Sequence, residues 1–200
     1  MNWILVGLGN PGEEYVGSRH NAGRDFLTAI AKKEGVTEWK LDKKTRALAA
    51  KGTLFGKKAA LVLPETFMND SGGAVKPLVD SAKQAEKLAV LHDDLDLPLG
   101  IVKVSFGSGA GGHRGVESVQ KALKTRDFVR IRIGISPTTA AGKLRKPESE
   151  KVIDFVLGKF RGAEAEQARL KISKKLAARA IELLLNEGAQ AAMTEVNAAR

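Results

Sequence analysis

The chain has 200 residues and no cysteine, and this absence excludes several kinds of site at once. Without thiols it can form no disulfide, no thiolate metal site and no cysteine nucleophile. Long apolar runs are also missing, since no stretch approaches the ~20 residues that a membrane helix needs. The first residues, MNWILVGLGN, lack the charged start and the cleavage site of a secretory signal. We therefore expect a cytoplasmic protein that does not associate with membranes.

The charge of the chain is strongly positive. Lysine and arginine together number 33 and aspartate and glutamate 23, which gives a formal net charge of +10. Such a surplus attracts phosphate groups and favours RNA as a partner, although solubility alone also accounts for it. The length suits one domain spanning residues 1–200, because a chain of this size buries roughly 70% of the surface that its unfolded form exposes.

Strand patterns and helix patterns alternate along the sequence. Apolar or alternating runs predict strands at 3–8, 46–51, 58–63, 88–91, 101–106 and 128–135. Helical spacing predicts helices between Asn21 and Gly35, from Ser71 toward Lys83, around 116–123 and over 163–187. The alternation predicts an α/β fold, a single three-layer globule in which a twisted mixed, mostly parallel sheet is flanked by helices. The polar and basic stretch 136–150 is predicted to be a mobile loop.

Three well-known motifs are incomplete or absent. GLGNPG at 7–12 has the G-x-G-x-x-G glycines of a dinucleotide-binding fold, but a polar stretch separates it from any helix whose N-terminus could meet a pyrophosphate. The glycines at 107–112 have P-loop spacing, yet His113 and Arg114 stand where lysine and serine or threonine are required. No G-x-S-x-G nucleophile elbow occurs, so the sequence gives a serine esterase no support.

The three histidines, His20, His92 and His113, are each predicted to lie in a loop at the end of a strand or a glycine run. Such loops are where α/β folds place their functional sites. Any one of these histidines could equally be a structural residue, but three histidines in such positions favour a functional site. A metal centre is disfavoured because no two of them share a helix face. A hydrolase without a metal or a nucleophile needs a base for water, a partner that orients the base, and donors for the oxyanion. Histidine, aspartate and asparagine meet these needs.

Six longer motifs follow one another along the chain: GLGNPG…YVGSRHNAG, PETFMNDSG at 64–72, HDDLDLPLG at 92–100, GSGAGGHRG at 107–115, RIRIGI at 130–135 and DFVLGKF at 154–160. Together they resemble bacterial peptidyl-tRNA hydrolase over essentially the whole chain. The resemblance implies hydrolysis of the ester between a peptide and the 3' end of tRNA, which recycles tRNA from stalled ribosomes. It also implies a monomer that binds peptidyl-tRNA without a metal or other cofactor.

The resemblance assigns roles to individual residues. His20 would be the general base, and Asp93 would hold its imidazole in the working tautomer. The substrate-binding residues would be Asn10, Tyr15, Asn69, His113 and Arg114. On spacing alone, Asn10 could instead be a turn residue before Pro11.

The chain departs from the family pattern at Arg114, where asparagine is usual and helps to position the reacting water or the oxyanion. Arginine is a permanent cation with several donors, but it cannot accept a hydrogen bond. Two hypotheses follow: either Arg114 reaches the cleft and stabilises an oxyanion or a terminal phosphate, or it points to solvent.

Basic residues in three places are candidates for contact with tRNA. Lys103 and Arg132 match positions that the family uses against phosphate, whereas Ser105 stands where a second lysine is common. Three basic residues of the 136–150 loop could replace the missing contact or could simply be solvated; they are Lys143, Arg145 and Lys146.

Two rival functions stay open on the sequence. A non-catalytic RNA-binding relative of the same fold would have no need of a general base with its orienting partner. The retention of a complete set therefore favours the enzyme; its members are Asn10, His20, Asn69 and Asp93. A dinucleotide-binding oxidoreductase is the more distant alternative.

Overall fold

The structure is a computed structural model that describes residues 2–199, and its centre is a seven-stranded sheet. The strands are β1 (Trp3–Gly7), β2 (Lys40–Asp42), β3 (Ala47–Leu54), β4 (Lys57–Pro64), β5 (Leu88–Pro98), β6 (Val102–Phe106) and β7 (Val129–Ser136). They lie in the order β2-β3-β4-β1-β5-β7-β6. The four central strands are parallel to one another, whereas β2, β3 and β6 pair antiparallel at the two sides.

Helices cover both faces of the sheet. They are α1 (Ala22–Lys33), α2 (Ser71–Val75), α3 (Ala82–Ala85), α4 (Arg114–Leu123), α5 (Val152–Leu157), α6 (Glu164–Asn186) and α7 (Ala189–Ala198). Buried apolar residues form two separate cores, one containing α1, α5, α6 and α7 and the other containing α2, α3 and α4. The predicted three-layer α/β fold with a mixed, mostly parallel sheet is therefore confirmed.

The central strand β1 shows why its sequence is an unbroken apolar run. Leu5 lies in one core, whereas Ile4 and Val6 lie in the other, so every side chain of the strand is buried. Strands covered on both faces have apolar residues at successive positions instead of an alternating pattern. Within residues 2–199, no helix is both long enough and apolar enough to cross a membrane.

Strand β5 is longer than predicted, and this changes the position of the second histidine. We expected a strand that ends at Leu91, but β5 continues to Pro98, so His92 and Asp93 lie within the strand and not in a loop. The continuation is paired with β7 through Asp94 and Gly134. Its polar side chains fit a strand because this end of β5 borders a cleft instead of the apolar core.

The helix predicted from Ser71 toward Lys83 is also wrong. Helix α2 ends at Val75, because Pro77 in the next turn lacks an amide hydrogen and cannot continue the helix. A separate short helix, α3, follows, and Ser81 caps it by accepting a hydrogen bond from the amide of Gln84.

Three short or late elements were not predicted, namely β2, α5 and α7. The last of these protects the edge of the sheet at β6. Asn197 of α7 accepts a hydrogen bond from the amide of Val104 at 2.8 Å and donates one to its carbonyl at 2.9 Å. The side chain of Asn197 therefore occupies the place of a neighbouring strand.

Helix α1 begins in very close contact with the backbone of the central strands, and a glycine permits this contact. A Cβ atom at Gly23 would lie 2.2 Å from the carbonyl oxygen of Leu91 and 3.0 Å from that of Leu8. The first turn of α1 therefore packs directly on the backbone just after β1 and within β5. This packing brings His20, just before α1, next to Asp93, just after Leu91.

We predict that Gly23→Ala lowers the free energy of unfolding by roughly 1–3 kcal/mol, the range for overpacking. Alanine would otherwise favour the helix by up to about 1 kcal/mol, so a net loss reports the clash with Leu91. Urea unfolding gives the measurement, and Gly109→Ala is the matched control because a Cβ there meets no atom within 4 Å. Equal stability of the two variants would contradict the close packing.

Candidate active site

A cleft of about 570 Å³ opens at the carboxyl ends of the central strands. This is the position at which parallel α/β sheets place their sites. Its walls come from the loop after β1, the turn before α1, the segment after β4, the end of β5, the start of α4 and helix α5. Residues from distant parts of the sequence therefore meet in one space.

The partly buried His20 and the buried Asp93 form a pair at the cleft. The imidazole Nδ1 of His20 lies 3.0 Å from Oδ1 and 3.1 Å from Oδ2 of Asp93. Because a carboxylate only accepts hydrogen bonds, Nδ1 carries the hydrogen and donates it. The other nitrogen, Nε2, then has a free lone pair. This is the tautomer that a general base requires.

The same carboxylate binds a second histidine. Nε2 of His113 donates to Oδ1 of Asp93 at 2.8 Å, and Nδ1 of His113 accepts a hydrogen bond from the amide of Val116 at 3.2 Å. His113 is thus the N-cap of α4 as well as a partner of Asp93. Both of its ring nitrogens are therefore occupied within the protein.

The charge of Asp93 depends on these two imidazoles. Burial by itself raises the pKa of the carboxyl group, but His113 and His20 outweigh burial and hold the pKa of Asp93 well below its usual range. The three side chains place ligand atoms within 4.8 Å of one another, a spacing that a metal ion could use. Metal binding would require both histidines to give up the hydrogens that they donate to Asp93.

His92, the third histidine, lies behind this pair. Its ring centroid is 4.7 Å from that of His113, and its Nδ1 donates to the carbonyl oxygen of Asp93 at 2.7 Å. Its Nε2 is buried and has no hydrogen-bond partner within residues 2–199. Burial, together with His113 and the positive charge of Arg130, lowers the pKa of His92 well below its usual value. His92 is therefore a neutral packing partner.

Asn10 is fixed from two sides. Its amide donates to Oδ1 of Asn21 at 2.9 Å, and Nδ2 of Asn21 donates back to the Asn10 carbonyl at 2.9 Å. The side-chain Oδ1 of Asn10 accepts a hydrogen bond from the amide of Met68 at 2.8 Å. Only the Nδ2 group of Asn10 is left, so this residue faces the cleft as a donor. Asn21 precedes the first residue of α1, but its side chain makes no capping hydrogen bond.

The other predicted site residues divide into two groups. Asn69 and Arg114 are exposed and line the cleft, and Arg114 is the first residue of α4. Tyr15 is half-buried and does not line the cleft. Lys103 and Arg132 also lie outside it and face each other in the register of β6 and β7.

Both of these basic side chains have partners within the protein. Nε of Arg132 donates to Oδ2 of Asp94 at 2.7 Å, and Nζ of Lys103 donates to the carbonyl oxygen of Asn197 at 2.5 Å. Asp94 lines the cleft, so its ion pair joins Arg132 to the cleft wall. The hydroxyl of Ser105 is buried and has no partner within the described part of the chain.

The basic loop reaches the cleft, since Ser149 lines it and Lys146 pairs with a residue of its wall. Lys146 forms an ion pair with Asp96, which lines the cleft, whereas Lys143 and Arg145 are exposed. Ser136 is the last residue of β7, and residues 137–148 contain an isolated bridge between Thr138 and Leu144 but no helix or longer strand. The loop prediction is therefore confirmed for 137–148, while the mobility of this loop stays a prediction.

The apolar residues that line the cleft were not predicted from the sequence. Phe67 is 60% exposed, and Ile153 and Leu157 of α5 are 51% and 38% exposed. The i, i+4 spacing of Ile153 and Leu157 was the available signal, because it places two large apolar side chains on one helical face.

Comparison with known proteins gives one consistent result. A family model described as "Peptidyl-tRNA hydrolase" matches residues 4–200. The peptidyl-tRNA hydrolase of Carboxydothermus hydrogenoformans is 41% identical over 98% of this chain and 98% of its own. That of Rubrobacter xylanophilus is 43% identical over 96% of this chain and 99% of its own. The crystal structure of peptidyl-tRNA hydrolase from Acinetobacter baumannii superimposes with a TM-score of 0.85 at 34% identity, covering 100% of this chain and 96% of that one.

We predict that lowering the pH destabilises the protein first through protonation of His92 and, at a lower pH, through protonation of Asp93. A lowered pKa means that the unfolded state binds a proton near pH 6.5 that folded His92 does not, so stability is lost as the pH falls below about 6.5. The loss approaches about 1.4 kcal/mol per pH unit for one proton. The lowered pKa of Asp93 adds a further loss below about pH 3.9.

Urea unfolding at pH 7 and pH 5 measures this dependence. His92→Asn is the informative variant, because the asparagine Nδ2 can replace the Nδ1 donor to Asp93 but does not titrate. Its stability should change less between the two pH values than that of the wild type. The same acid slope in both proteins would show that His92 is not the source.

Proposed function

The chain belongs to the peptidyl-tRNA hydrolase family, and from this premise we propose how its cleft hydrolyses the ester between a peptide and the 3' end of tRNA. The protein is a hydrolase, and peptidyl-tRNA is its substrate. The observation that supports the proposed chemistry best is the His20–Asp93 pair, in which Nδ1 of His20 is bonded and Nε2 is free.

His20 is proposed to be the general base. Its Nε2 takes a proton from a water molecule while the water oxygen attacks the ester carbonyl carbon. The negatively charged Asp93 stabilises the imidazolium that forms. The tetrahedral intermediate then collapses, the bond to the 3' oxygen of tRNA breaks, and the imidazolium returns its proton to that oxygen. The products are free tRNA and a peptide with a free carboxyl group.

Three residues are proposed to bind the reacting end of the substrate. Asn10 offers only Nδ2–H groups, which suits it to bind the ester oxygen on which negative charge develops. Asn69 is exposed in the cleft and can both donate and accept, as binding of a peptide backbone requires. Arg114 lies beside them with a permanent positive charge.

His113 and Tyr15 are assigned less direct contacts. Since both ring nitrogens of His113 are bonded within the protein, we propose that it contacts the substrate only by packing and mainly keeps Asp93 charged and oriented. The carbonyl oxygen of Tyr15 accepts a hydrogen bond from the amide of Ser18 at 3.0 Å, which connects Tyr15 to the turn that contains His20. The side chain of Tyr15 does not line the cleft, and its contact with the substrate stays a prediction.

Lys103 and Arg132 are proposed to contact phosphates of the tRNA. The ion pair of Arg132 uses Nε, so the terminal nitrogens of its guanidinium stay available to a phosphate. Lys143 and Arg145, which are exposed in the adjacent loop, are the residues best able to compensate for the serine at position 105.

We further propose that residues 1–200 act as one domain, as a monomer and in the cytoplasm. The single sheet that connects both halves of the chain supports the first point. The alternative of a non-catalytic RNA-binding protein has no support among the relatives named above, because each of them is named a hydrolase.

We predict that His20→Ala lowers turnover of an N-acetylaminoacyl-tRNA by 10² to 10⁴, the usual worth of general-base catalysis. The fold and the tRNA affinity should change little, because His20 lies in a turn, and its ring is bonded to Asp93 and lies 5.0 Å from the ring of His113. Asp93→Asn should lower the rate in single-turnover experiments while leaving the base in place. Release of free tRNA with EDTA present is the assay. A His20→Ala enzyme with more than a tenth of the activity would refute the assignment.

We predict that tRNA affinity falls steeply with salt, since each phosphate contact contributes roughly 0.7 to 0.9 to the slope of log affinity against log salt. Lys103→Ala and Arg132→Ala should each reduce that slope and raise KM more than they lower kcat. Arg179→Ala is the matched control, because it removes an exposed arginine whose guanidinium pairs with Glu182 and Glu195. An equal change in all three variants would indicate a general charge effect.

We predict that Arg114→Ala costs about 1–3 kcal/mol of substrate or transition-state binding, the range of a charge-assisted hydrogen bond. Arg114→Asn, which restores the usual family residue, should retain or raise turnover. A loss confined to full-length tRNA would mean phosphate binding, whereas a loss that persists on a minimal ester substrate would mean a role beside the ester. No change in either variant would leave Arg114 pointing to solvent.

A further inference from the structure

The residue before the base, Arg19, joins the turn that contains His20 to helix α5. This turn spans Arg19–Asn21. Nη1 of Arg19 donates to the carbonyl oxygens of Gly158 and Lys159 at 3.0 Å each and of Phe155 at 3.4 Å. The Arg19 amide also donates to the Gly158 carbonyl at 3.1 Å. One buried side chain therefore donates hydrogen bonds to the carbonyl groups at and just after the end of α5.

Aromatic rings enclose the same guanidinium. Its central carbon lies 4.5 Å from the ring centroid of Phe155 and 5.1 Å from that of Phe160. The second terminal nitrogen lies 3.5 Å from a carboxylate oxygen of Glu166 in α6. Arg19 is only 8% exposed, so its side chain is packed within the protein and is not surrounded by water.

Helix α5 depends on such a partner. It has six residues, far fewer than a helix needs to be stable by itself. The last carbonyl groups of any helix lack partners within the helix, and a cation at that end is favourable. Arg19 supplies both the donors and the charge. An isolated bridge between Ser18 and Lys159 adds a second connection.

The helix held in this way forms an apolar wall of the cleft. Its residues Val152, Ile153, Val156 and Leu157 line the cleft beside His20. Ile153 and Leu157 are half-exposed there, with no charge to attract a phosphate. Within a peptidyl-tRNA, the aliphatic groups are in the side chains of the peptide, so this aliphatic wall fits the acyl side of the ester.

We propose that Arg19 is a positioning residue for the hydrolysis, which sets the place of the His20 base relative to the apolar wall that receives the acyl side chain. The proposal rests on the function proposed above. Asn21 holds the opposite end of the same turn to Asn10, so His20 lies between two anchored neighbours. A small displacement of either anchor would move the base away from the ester, and a misplacement of about 1 Å can cost about 10²-fold in rate.

The test compares Arg19→Ala and Arg19→Lys with the wild type on one tRNA that carries either N-acetylalanine or N-acetylphenylalanine. We expect kcat of Arg19→Ala to fall by about 10- to 100-fold on both substrates. KM should rise more for the phenylalanine substrate than for the alanine substrate. Arg19→Lys should be intermediate, because lysine keeps the charge but lacks the planar set of donors. Assays are run well below the Tm of each variant.

Chemical rescue separates positioning from a general loss of structure. Added guanidinium ion should restore part of kcat in Arg19→Ala, because it can occupy the space between Phe155 and Phe160, but should restore none in His20→Ala. Ile172→Ser provides the second control, because Ile172 is 50% exposed on α6 and lies outside the cleft. It should leave kcat and KM unchanged on both substrates, and guanidinium should have no effect on it.

The outcomes distinguish this inference from the proposed function. An inactive wild type would refute the function itself. An active wild type together with Arg19 variants of unchanged kcat and KM would overturn only the role of Arg19, as would a lowered Tm without any kinetic change. If Arg19→Ala does not fold, Phe160→Leu removes one enclosing ring and keeps every donor. Its kcat should fall in the same direction, and an unchanged kcat and KM would overturn the inference.

Discussion

A buried carboxylate shared by two imidazoles is the interaction on which the site depends. Asp93 is 2% exposed, a position in which an unpaired charge would be very costly. Hydrogen bonds from His20 and His113 make the charge tolerable, and in return the charge fixes the tautomer of both rings. The contacts of the surrounding fold bring these three side chains close enough for direct hydrogen bonds.

The two histidines are held by different means, and this difference gives them different properties. His113 is fixed by its place at the start of α4, where its second nitrogen accepts an amide hydrogen bond. His20 has no such bond, and its turn is held through its neighbours Arg19 and Asn21. One ring therefore has no free lone pair, while the other presents one to the cleft.

Much of the fold could be predicted from local patterns, because buried central strands and amphipathic helices have characteristic spacings. The error at β5 has a clear origin: the polar residues from His92 onward resemble a loop, but they continue a strand whose end borders the cleft. The Ser71 helix was overextended because its apolar spacing continued past Pro77. Short elements such as α5 depend on partners distant in sequence, which no local pattern contains.

The site could be predicted only in part. The pairing of His20 with Asp93 joins residues far apart in the chain, and it was expected from the resemblance instead of from any spacing. The anchoring of Asn10 by Asn21, and of the His20 turn by Arg19, could not be foreseen, because side-chain to backbone hydrogen bonds leave no periodic signal. Tyr15 shows the converse, since a residue inside a matching motif lies outside the cleft.

The hydrogen bonds between Asn197 and Val104 have a consequence for the protein in a crowded solution. A sheet edge with free amide and carbonyl groups can pair with the edge of another molecule and begin aggregation. Here the β6 edge is occupied by a side chain of α7, and the opposite edge strand, β2, has only three residues. The last helix of the chain thus makes the sheet a poor template for pairing between molecules.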